Sequence, residues 1–352
     1  MKAIISVHDR DQFDPISETT LSDRLMMVEI PTPHPRPNEV RIKIAATAIN
    51  PADILQSKGA HPPPKGASHV LGLECSGTID AVGSDVANDS DFSWIKEGVA
   101  ACALLSAGGY AEYVCVDARQ VLPIPHIPNS EFPPEVAVMG LVESAAASWM
   151  VLETIGGLEN AEEKSVLVHG SSGGVGSVAV QLAAAWGHRV YGTAGTPDRC
   201  YRVEQLGADV CFNYHDDWYA ALKKHERRGV DVIMDVLGGG GLKVNVRALK
   251  QFGHLIVLGL LQGPKGELDL GRLLGKNASI TAQTLRSQRP TEKFAIVDHL
   301  RQDVWPMVEK GQIQPVIGKV LPFDSLANAH AVVSGKAGEE VLGKVVITVN
   351  FF

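Results

Sequence analysis

A glycine-rich turn near the middle of the chain carries the strongest chemical signal in the sequence. The apolar run VLVH (166–169) leads into GSSGGVG (170–176), which opens a second apolar run. Such a turn between a strand and a helix is typical of dinucleotide-binding sites, where free N–H groups at the helix start hold a pyrophosphate. It departs from GxGxxG because Ser171 replaces the first glycine; Gly173 would approach the pyrophosphate, and Gly176 would let the helix pack on the strand. The predicted cofactor-binding residues here are Ser172, Gly173, Gly174, Val175 and Gly176.

The segment after the second predicted strand indicates which dinucleotide is bound. An NAD site usually has Asp or Glu at the end of this strand to bind the ribose 2′-hydroxyl. Here the strand runs into GTAGTP (192–197), and the nearest carboxylate, Asp198, lies beyond the proline. Arg199 follows, and a guanidinium can bind a 2′-phosphate through two hydrogen bonds. The sequence therefore favours NADPH over NADH.

Alternating strands and helices must position the turn. Strands are predicted at 166–169, 190–193, 210–212, 230–235 and 255–258, and helices at 174–186, 197–206, 218–226 and 242–249. A series of this kind predicts a parallel sheet with helices on both faces, in which the turn lies at the carboxyl end of a strand.

The remaining segments predict a second domain made of short strands. Residues 40–44 alternate between apolar and polar side chains, and the β-like runs 77–83 and 110–116 add to a small barrel or sandwich. Further predictions are helices at 136–152 and 291–311 and a last strand at 343–349 that could return to the first domain. The predicted boundaries are 1–134 for the N-terminal catalytic part, 135–305 for the nucleotide-binding domain and 306–352 for the C-terminal return.

Charge and composition exclude several function classes. The 352 residues include 32 Lys and Arg against 40 Asp and Glu, a net charge of -8, which disfavours binding to nucleic acid or to a membrane surface. The twelve histidines and five cysteines contain no HxxxH or CxxC spacing, so neither a zinc site nor a disulfide framework is predicted. The absence of a leader-like N-terminus and the reduced cysteines predict a cytoplasmic protein. Residues 165–188 lack Asp, Glu, Lys and Arg, but their Gly- and Ser-rich centre favours a buried strand, turn and helix over a membrane span.

Five motifs in register give the chain a family resemblance. NPAD (50–53), LGLECSG (71–77), AVGSDV (81–86) and GYAEY (109–113) precede the glycine turn in this order. The chain thereby resembles the medium-chain dehydrogenase/reductase superfamily, and within it the zinc-free quinone oxidoreductases, the zeta-crystallin group. Residues 62–68 and 285–287 resemble the p53-inducible quinone oxidoreductase branch. The resemblance implies an α/β fold with a GroES-like β-barrel catalytic domain and a Rossmann doubly wound parallel sheet.

The resemblance also assigns roles to single residues. Zinc alcohol dehydrogenases of the superfamily have a cysteine where Asn50 stands and a histidine where Leu73 stands, so no metal is expected here. Asn50 is expected beside the nicotinamide and the substrate, as both a catalytic and a cofactor-binding residue. His61 stands where the close branch has a tyrosine facing the quinone, and it could donate a proton. Cofactor contacts are further expected from Gly195, Arg199 and Tyr214 near the 2′-phosphate and from Val236, Gly238, Gly259 and Leu260 around the nicotinamide half.

The expected function is transfer of a hydride from NADPH to a quinone without a metal. Two alternatives stay open at this point. One is an NADPH-dependent reductase of 2-alkenals or enoyl thioesters, and the other is an NADPH-binding, crystallin-like or RNA-binding protein with weak turnover. The resemblance also implies a homodimer joined through sheet edges, for which residues 279–285 are the candidate edge strand.

Overall fold

The computed structural model describes residues 1–338 and 341–349, which divide into two compact units. Unit 1 comprises Met1–Glu143 together with the described residues of Arg286–Phe352, and unit 2 comprises Ser144–Leu285. Residues 135–143 and 286–305, which the sequence analysis placed in the nucleotide-binding domain, belong to unit 1 by this division. The predicted functional boundaries stay a prediction.

Sixteen strands are formed by the described residues. In chain order they are β1 (Lys2–Ser6), β2 (Ser17–Thr20), β3 (Leu25–Glu29), β4 (Glu39–Ala48), β5 (Glu74–Val82), β6 (Ala100–Leu104), β7 (Tyr113–Asp117), β8 (Val121–Pro123), β9 (Ser165–His169), β10 (Arg189–Ala194), β11 (Val210–Asn213), β12 (Val230–Asp235), β13 (Leu249–Val257), β14 (Ser279–Ala282), β15 (Ile317–Pro322) and β16 (Lys344–Thr348).

Twelve α-helices connect these strands within the described part of the chain. They are α1 (Pro51–Ser57), α2 (Ser84–Asn88), α3 (Pro134–Ala137), α4 (Val142–Trp149), α5 (Gly174–Ala185), α6 (Pro197–Gln205), α7 (Trp218–His225), α8 (Leu242–Ala248), α9 (Leu270–Lys276), α10 (Pro290–His299), α11 (Trp305–Glu309) and α12 (Leu326–Val333).

Unit 1 is built around a seven-stranded sheet. Its order is β15-β16-β4-β5-β6-β8, with β7 also paired to β4, and a separate three-stranded sheet has the order β1-β3-β2. The last strand lies in this sheet, where β16 pairs antiparallel with β4 and aligns Val346 with Ala48. β4 buries alternate residues, including Val40 and Ile42, as an amphipathic strand does. The N-terminal strands β1 to β3 were not predicted from the sequence.

Unit 2 contains the predicted parallel sheet, in the order β11-β10-β9-β12-β13-β14. β9 lies between β10 and β12, and all five of its residues are buried, as expected for a central parallel strand covered on both faces. The strands that follow β9 in the chain lie on opposite sides of it: β10 and β11 on one side, and β12 to β14 on the other. The turn after β9 therefore lies at a topological switch point, where open α/β sheets form their ligand crevice. The α/β fold class predicted from the sequence is confirmed.

One helical segment is long and apolar enough to cross a membrane by length and composition. It is Pro134–Ile155, which spans 22 residues, and 89% of its most apolar window is buried inside the protein. The core helix of a soluble protein passes the same test, so this segment is weak evidence for a membrane span. The uncharged stretch 165–188 forms β9, the glycine turn and α5, as predicted.

Candidate functional site

The glycine turn leaves backbone donors open at the start of α5. Gly170 has a φ of +65°, which favours glycine, and the N–H of Gly173 donates to its carbonyl at 3.0 Å. Gly173 then caps the twelve-residue α5 without a side-chain hydrogen bond. Among the described residues, the N–H groups of Gly174, Val175 and Gly176 have no hydrogen-bond partner. These groups, with the positive end of the helix dipole, can bind an anion.

The turn is held rigidly against the neighbouring strand. The buried Ser171 donates its N–H at 3.1 Å and its hydroxyl at 2.9 Å to the carbonyl of Thr193 on β10. A Cβ on Gly176 would lie 2.3 Å from the carbonyl oxygen of Gly170, so α5 can approach the turn only with glycine at this position. A Cβ on Gly173 would meet that oxygen at 3.4 Å, an ordinary contact. Gly176 is therefore required for packing, whereas packing does not require a glycine at position 173.

The residues predicted for the 2′-phosphate cluster at the carboxyl end of β10. Tyr214 follows β11 and donates its N–H to Ala194 at 3.0 Å, and its ring is 48% exposed. Its hydroxyl lies 2.6 Å from the position that a Cβ on Gly195 would take, so Gly195 and Tyr214 are in close contact. Thr196 caps α6 by accepting the N–H of Arg199, which places Arg199 in the first helical turn. No Asp or Glu stands between the end of β10 and Pro197.

The loops after β12 and β13 also meet at this edge of the sheet. The buried carboxylate of Asp235 accepts the N–H groups of Leu237 and Gly238 at 2.9 and 3.0 Å. Leu261 donates its N–H to the carbonyl of Val236, which joins the two loops. The structure thus brings together Val236, Gly238, Gly259 and Leu260, as the sequence analysis expected, and Val236 also contacts the glycine turn at Gly170.

His169, at the end of β9, is a structural residue. It is 1% exposed, its Nδ1 lies 2.9 Å from the Thr193 hydroxyl, and its Nε2 lies 2.8 Å from Oδ1 of Asn245. Burial lowers the pKa of His169 to about 4, so the imidazole is neutral at physiological pH. Both ring nitrogens are satisfied, and a direct chemical role is not supported.

In unit 1, Asn50 lies in a buried ionic cluster rather than in an open turn. We call Asn50, Glu74, Glu143 and Lys344 the Lys344 cluster. The Lys344 ammonium donates to Oδ1 of Asn50 at 2.6 Å and to Oε1 of Glu74 at 2.7 Å, and the Asn50 amide donates to the same Glu74 oxygen at 2.9 Å. The side chains of Lys344 and Glu74 are 5% and 0% exposed. Both ends of the Asn50 amide are therefore fixed by charged partners.

Glu143 completes the cluster with an unpaired carboxyl oxygen. Its N–H donates to Oε2 of Glu74 at 2.9 Å, while its own Oε2 is inaccessible to solvent and has no hydrogen-bond partner among the described residues. Burial raises the pKa of Glu143 to about 7, and the charges of Glu74 and Asp53 act in the same direction, against that of Lys344. Glu143 therefore carries a proton for part of the time near neutral pH.

Asp53 is a second buried acid, and it connects Asn50 to Tyr110. Its carboxylate accepts the N–H of Asn50 at 2.9 Å, which caps α1, and the Tyr110 hydroxyl at 3.0 Å. Burial raises the pKa of Asp53 to about 6, although these hydrogen bonds oppose the shift. The Lys344 cluster and the adjoining Asp53 thus contain two carboxyl groups with raised pKa values, a feature common at functional sites.

His61 lies apart from the Lys344 cluster in sequence and is only half-buried. It stands in the loop after α1, and its carbonyl accepts a hydrogen bond from Nη1 of Arg286 at 3.0 Å. Burial and the charge of Arg286 lower the pKa of His61, so its imidazole is mostly neutral at pH 7.

The sequence analysis missed the partners of Asn50. Glu74 lies within the quoted LGLECSG motif, but nothing there predicted a bond to a lysine 270 residues away. The available signal was Lys344 itself, a single charge at the head of the apolar strand KVVIT. A charge in a buried strand requires a partner, although the sequence does not say which one.

Comparison with known proteins identifies relatives over most of the chain. Residues 36–126 match the alcohol dehydrogenase GroES-like domain, and residues 174–300 match the zinc-binding dehydrogenase domain. Quinone oxidoreductase from Mus musculus is 30% identical over 328 residues, covering 89% of this chain and 92% of the mouse protein. Quinone oxidoreductase from Sus scrofa is 31% identical over 312 residues, covering 86% and 87%.

The same fold occurs in a solved structure, that of Escherichia coli quinone oxidoreductase complexed with NADPH. It superimposes with a TM-score of 0.80 over 99% of this chain and 100% of the bacterial chain, at 22% sequence identity. At this level of identity the likeness establishes the fold of the chain.

The family matched by residues 174–300 is described as zinc-binding, but the side chains of the described residues do not form a zinc site. Among the described residues there is no group of three or more His, Cys, Asp or Glu that could hold a metal ion. Around Asn50 the oxygen atoms already bind an ammonium group, because Lys344 lies within 2.7 Å of both Asn50 and Glu74. This arrangement does not fit a catalytic zinc, which needs three protein ligands and an open position.

Proposed function

The chain belongs to the quinone oxidoreductase family of the medium-chain dehydrogenase/reductase superfamily, and on this premise we propose that it transfers a hydride from NADPH to a quinone. The observation that carries the proposal is the set of three unpartnered N–H groups at Gly174, Val175 and Gly176, set at the switch point of a parallel sheet. A pyrophosphate satisfies such donors, and a glycine at position 173, which packing does not require, lets its oxygen atoms approach the backbone.

The preference for NADPH rests on the end of β10. A carboxylate at this point would bind a ribose 2′-hydroxyl and repel a 2′-phosphate, and the segment before Pro197 contains none. Arg199 in the first turn of α6 and the exposed Tyr214 hydroxyl supply donors of the type that a phosphate needs. Gly195 lets the Tyr214 ring lie directly against the backbone.

Within the proposed reaction, the protein binds, orients and excludes water, and bound NADPH supplies the hydride. Val236, Gly238, Gly259 and Leu260 of unit 2 would enclose the nicotinamide half. In unit 1, Lys344 and Glu74 fix the orientation of the Asn50 amide, a residue to which the family resemblance assigns a contact with the nicotinamide. A quinone needs little acid catalysis, because the charge of the reduced product is delocalised. His61 would donate the proton, although its lowered pKa makes the protonated form scarce at pH 7.

A comparison of acceptors tests the proposal. We expect NADPH oxidation by the purified protein to be faster with 1,2-naphthoquinone than with a 2-alkenal or an enoyl thioester at equal concentration. Faster turnover of the alkenal or thioester would assign the protein to the alkene reductases instead. Tight NADPH binding without turnover of any acceptor, or retardation of RNA in a gel at physiological salt, would favour a structural or RNA-binding role.

We also propose a homodimer in the cytoplasm. β14 pairs with β13 on one side, which leaves its other edge for a second copy, and such an edge is usually covered. The strand is shorter than predicted, Ser279–Ala282 instead of 279–285. Nearby in the sequence, Leu270 and Leu274 of α9 are 66% and 78% exposed. Sedimentation equilibrium would give twice the mass of 37.6 kDa, and a monomer would refute the proposal.

A further inference from the structure

Unit 1 contains a cavity of about 760 Å³ that the proposed reaction does not use. It is lined by the segments 64–68 and 105–108, by β7, and by residues of the segment 286–293. We propose that this cavity holds an oxyanion subsite, in which Lys293 and Arg286 bind the phosphate or carboxylate group of a small molecule. The inference concerns unit 1 alone and does not depend on the proposed function.

Lys293 is a buried cation with too few partners. It is 4% exposed and lines the cavity from α10, where its ammonium donates to the hydroxyl of Ser106 at 2.7 Å. An ammonium has three N–H donors, and this neutral hydroxyl is the one acceptor that the described residues provide. Burying a lysine without a carboxylate is costly, so an anionic partner from outside the chain would stabilise it.

Arg286 places a second positive charge beside the first. It is 5% exposed, and it donates from Nε to the carbonyl of Ser106 at 2.9 Å and from Nη2 to the side-chain oxygen of Gln56 at 2.6 Å. With the His61 carbonyl, all three of its acceptors are neutral. Among the residues described, the acceptors of Arg286 and Lys293 are two carbonyls, an amide oxygen of the Gln56 side chain and the Ser106 hydroxyl, and none is a carboxylate. Both cations bind Ser106 and form no ion pair with a described carboxylate, and the charges of Asp53 and Asp9 act on Arg286 from further away.

The remaining charges around the cavity do not offset this imbalance. Arg36 and Lys65 also line it, against two carboxylates, Glu39 and Asp117. Asp117 is already bound to Arg119 at 2.7 Å and to the amide of Asn38. Burial, followed by the charge of Arg286, lowers the pKa of Lys293 to about 8, which is the expected effect of a missing anion. The cavity as a whole is therefore suited to a compact anion.

Calorimetric titration of the full-length protein tests the subsite. The protein is saturated with NADPH, so that the cofactor's own phosphates occupy the glycine turn, and inorganic phosphate or acetate is titrated in a zwitterionic buffer. We expect one of the two to bind with a dissociation constant below roughly 10 mM, and Lys293→Met to weaken it about tenfold or more. The exposed Lys96→Met is the matched control and should bind as the wild type does.

The outcomes distinguish a phosphate ligand from a carboxylate ligand, and binding at the proposed subsite from binding at the cofactor site. Binding of phosphate identifies a phosphate ligand, and binding of acetate alone identifies a carboxylate. If neither anion binds, or if Lys293→Met binds as tightly as the wild type, the subsite does not exist. If phosphate binds only without NADPH and is lost in Arg199→Ala, it occupies the cofactor site, and the proposal fails while the proposed function stands.

A second measurement covers the case in which Lys293→Met does not fold. The wild-type protein is treated with methyl acetimidate, a lysine reagent that releases no carboxylate, and the extent of modification at Lys293 is read by peptide mass mapping. The anion that binds in the titration should slow this modification at least about threefold and leave that of Lys96 unchanged. Equal modification of Lys293 with and without the anion would overturn the proposal.

Discussion

The glycine turn of unit 2 and the Lys344 cluster of unit 1 hold their polar groups in place by different means. The turn offers neutral backbone N–H groups whose positions follow from the path of the chain at Gly170 to Gly176. The cluster fixes Asn50 with a buried charge pair whose members come from distant segments. The first site should therefore be sensitive to added atoms and the second to lost charges.

Removal of the central cation should have the largest effect. Lys344→Met leaves the Glu74 carboxylate buried without its counter-charge, so the free energy of unfolding should fall by about 3–5 kcal/mol. Urea denaturation measures the loss, and the exposed Lys336→Met is the control. Adding Glu74→Gln to Lys344→Met should recover at least half of the stability. A loss below about 1 kcal/mol for Lys344→Met would show that the buried pair is not essential.

Replacement of Arg199, the residue proposed to bind the 2′-phosphate, should change the preference for NADPH over NADH and leave the stability of the protein unchanged. Arg199→Ala should raise the KM for NADPH by the equivalent of roughly 1.5–3 kcal/mol, since a charge-assisted hydrogen bond is lost. The KM for NADH should stay nearly unchanged, because NADH has no 2′-phosphate. Steady-state kinetics with both cofactors measure the difference. Equal changes for NADPH and NADH would refute the assignment of Arg199.

Two alanine substitutions separate packing from binding within the turn. Gly176→Ala brings a methyl group to 2.3 Å from a backbone oxygen, so it should cost about 1–3 kcal/mol of stability and also weaken NADPH binding. Gly173→Ala meets its nearest atom at 3.4 Å, so it should fold normally and weaken only NADPH binding. Thermal unfolding and fluorescence titration measure the two effects. Normal binding by a folded Gly173→Ala would place the pyrophosphate elsewhere.

The smallest expected effect is the pH dependence that Glu143 gives to stability. Its pKa is raised from 4.5 to about 7 by burial, so the folded state holds a proton that the unfolded state releases. The stability that depends on this proton is fully present below about pH 4.5 and is lost as the pH rises through 7. Glu143→Gln should therefore gain about 1–2 kcal/mol over the wild type between pH 5 and pH 8. If the difference in unfolding free energy between Glu143→Gln and the wild type is the same at pH 5 and at pH 8, the pKa of Glu143 is not raised.

The same contrast explains what the sequence could predict. The turn and its helix follow from local patterns of glycine and apolar residues, whereas the loops after β12 and β13 were placed by resemblance. The helix predicted at 197–206 is α6, and Gly207 just after it has a φ of +112°. Asn50 was placed by resemblance, but its partners were not, because a bond across 294 residues leaves no local pattern. β2 was missed because all four of its residues are exposed, so it lacks an apolar face.

A single-turnover experiment tests the central claim most directly. The protein is loaded with one equivalent of NADPH and mixed rapidly with 1,2-naphthoquinone, while the reduced nicotinamide absorbance is followed. We predict that the bound equivalent is oxidised at a rate that far exceeds the reaction without protein, and that NADH loads only at much higher concentration. If the bound NADPH persists in the presence of the quinone, or decays no faster than it does in buffer, the chain is not a quinone oxidoreductase.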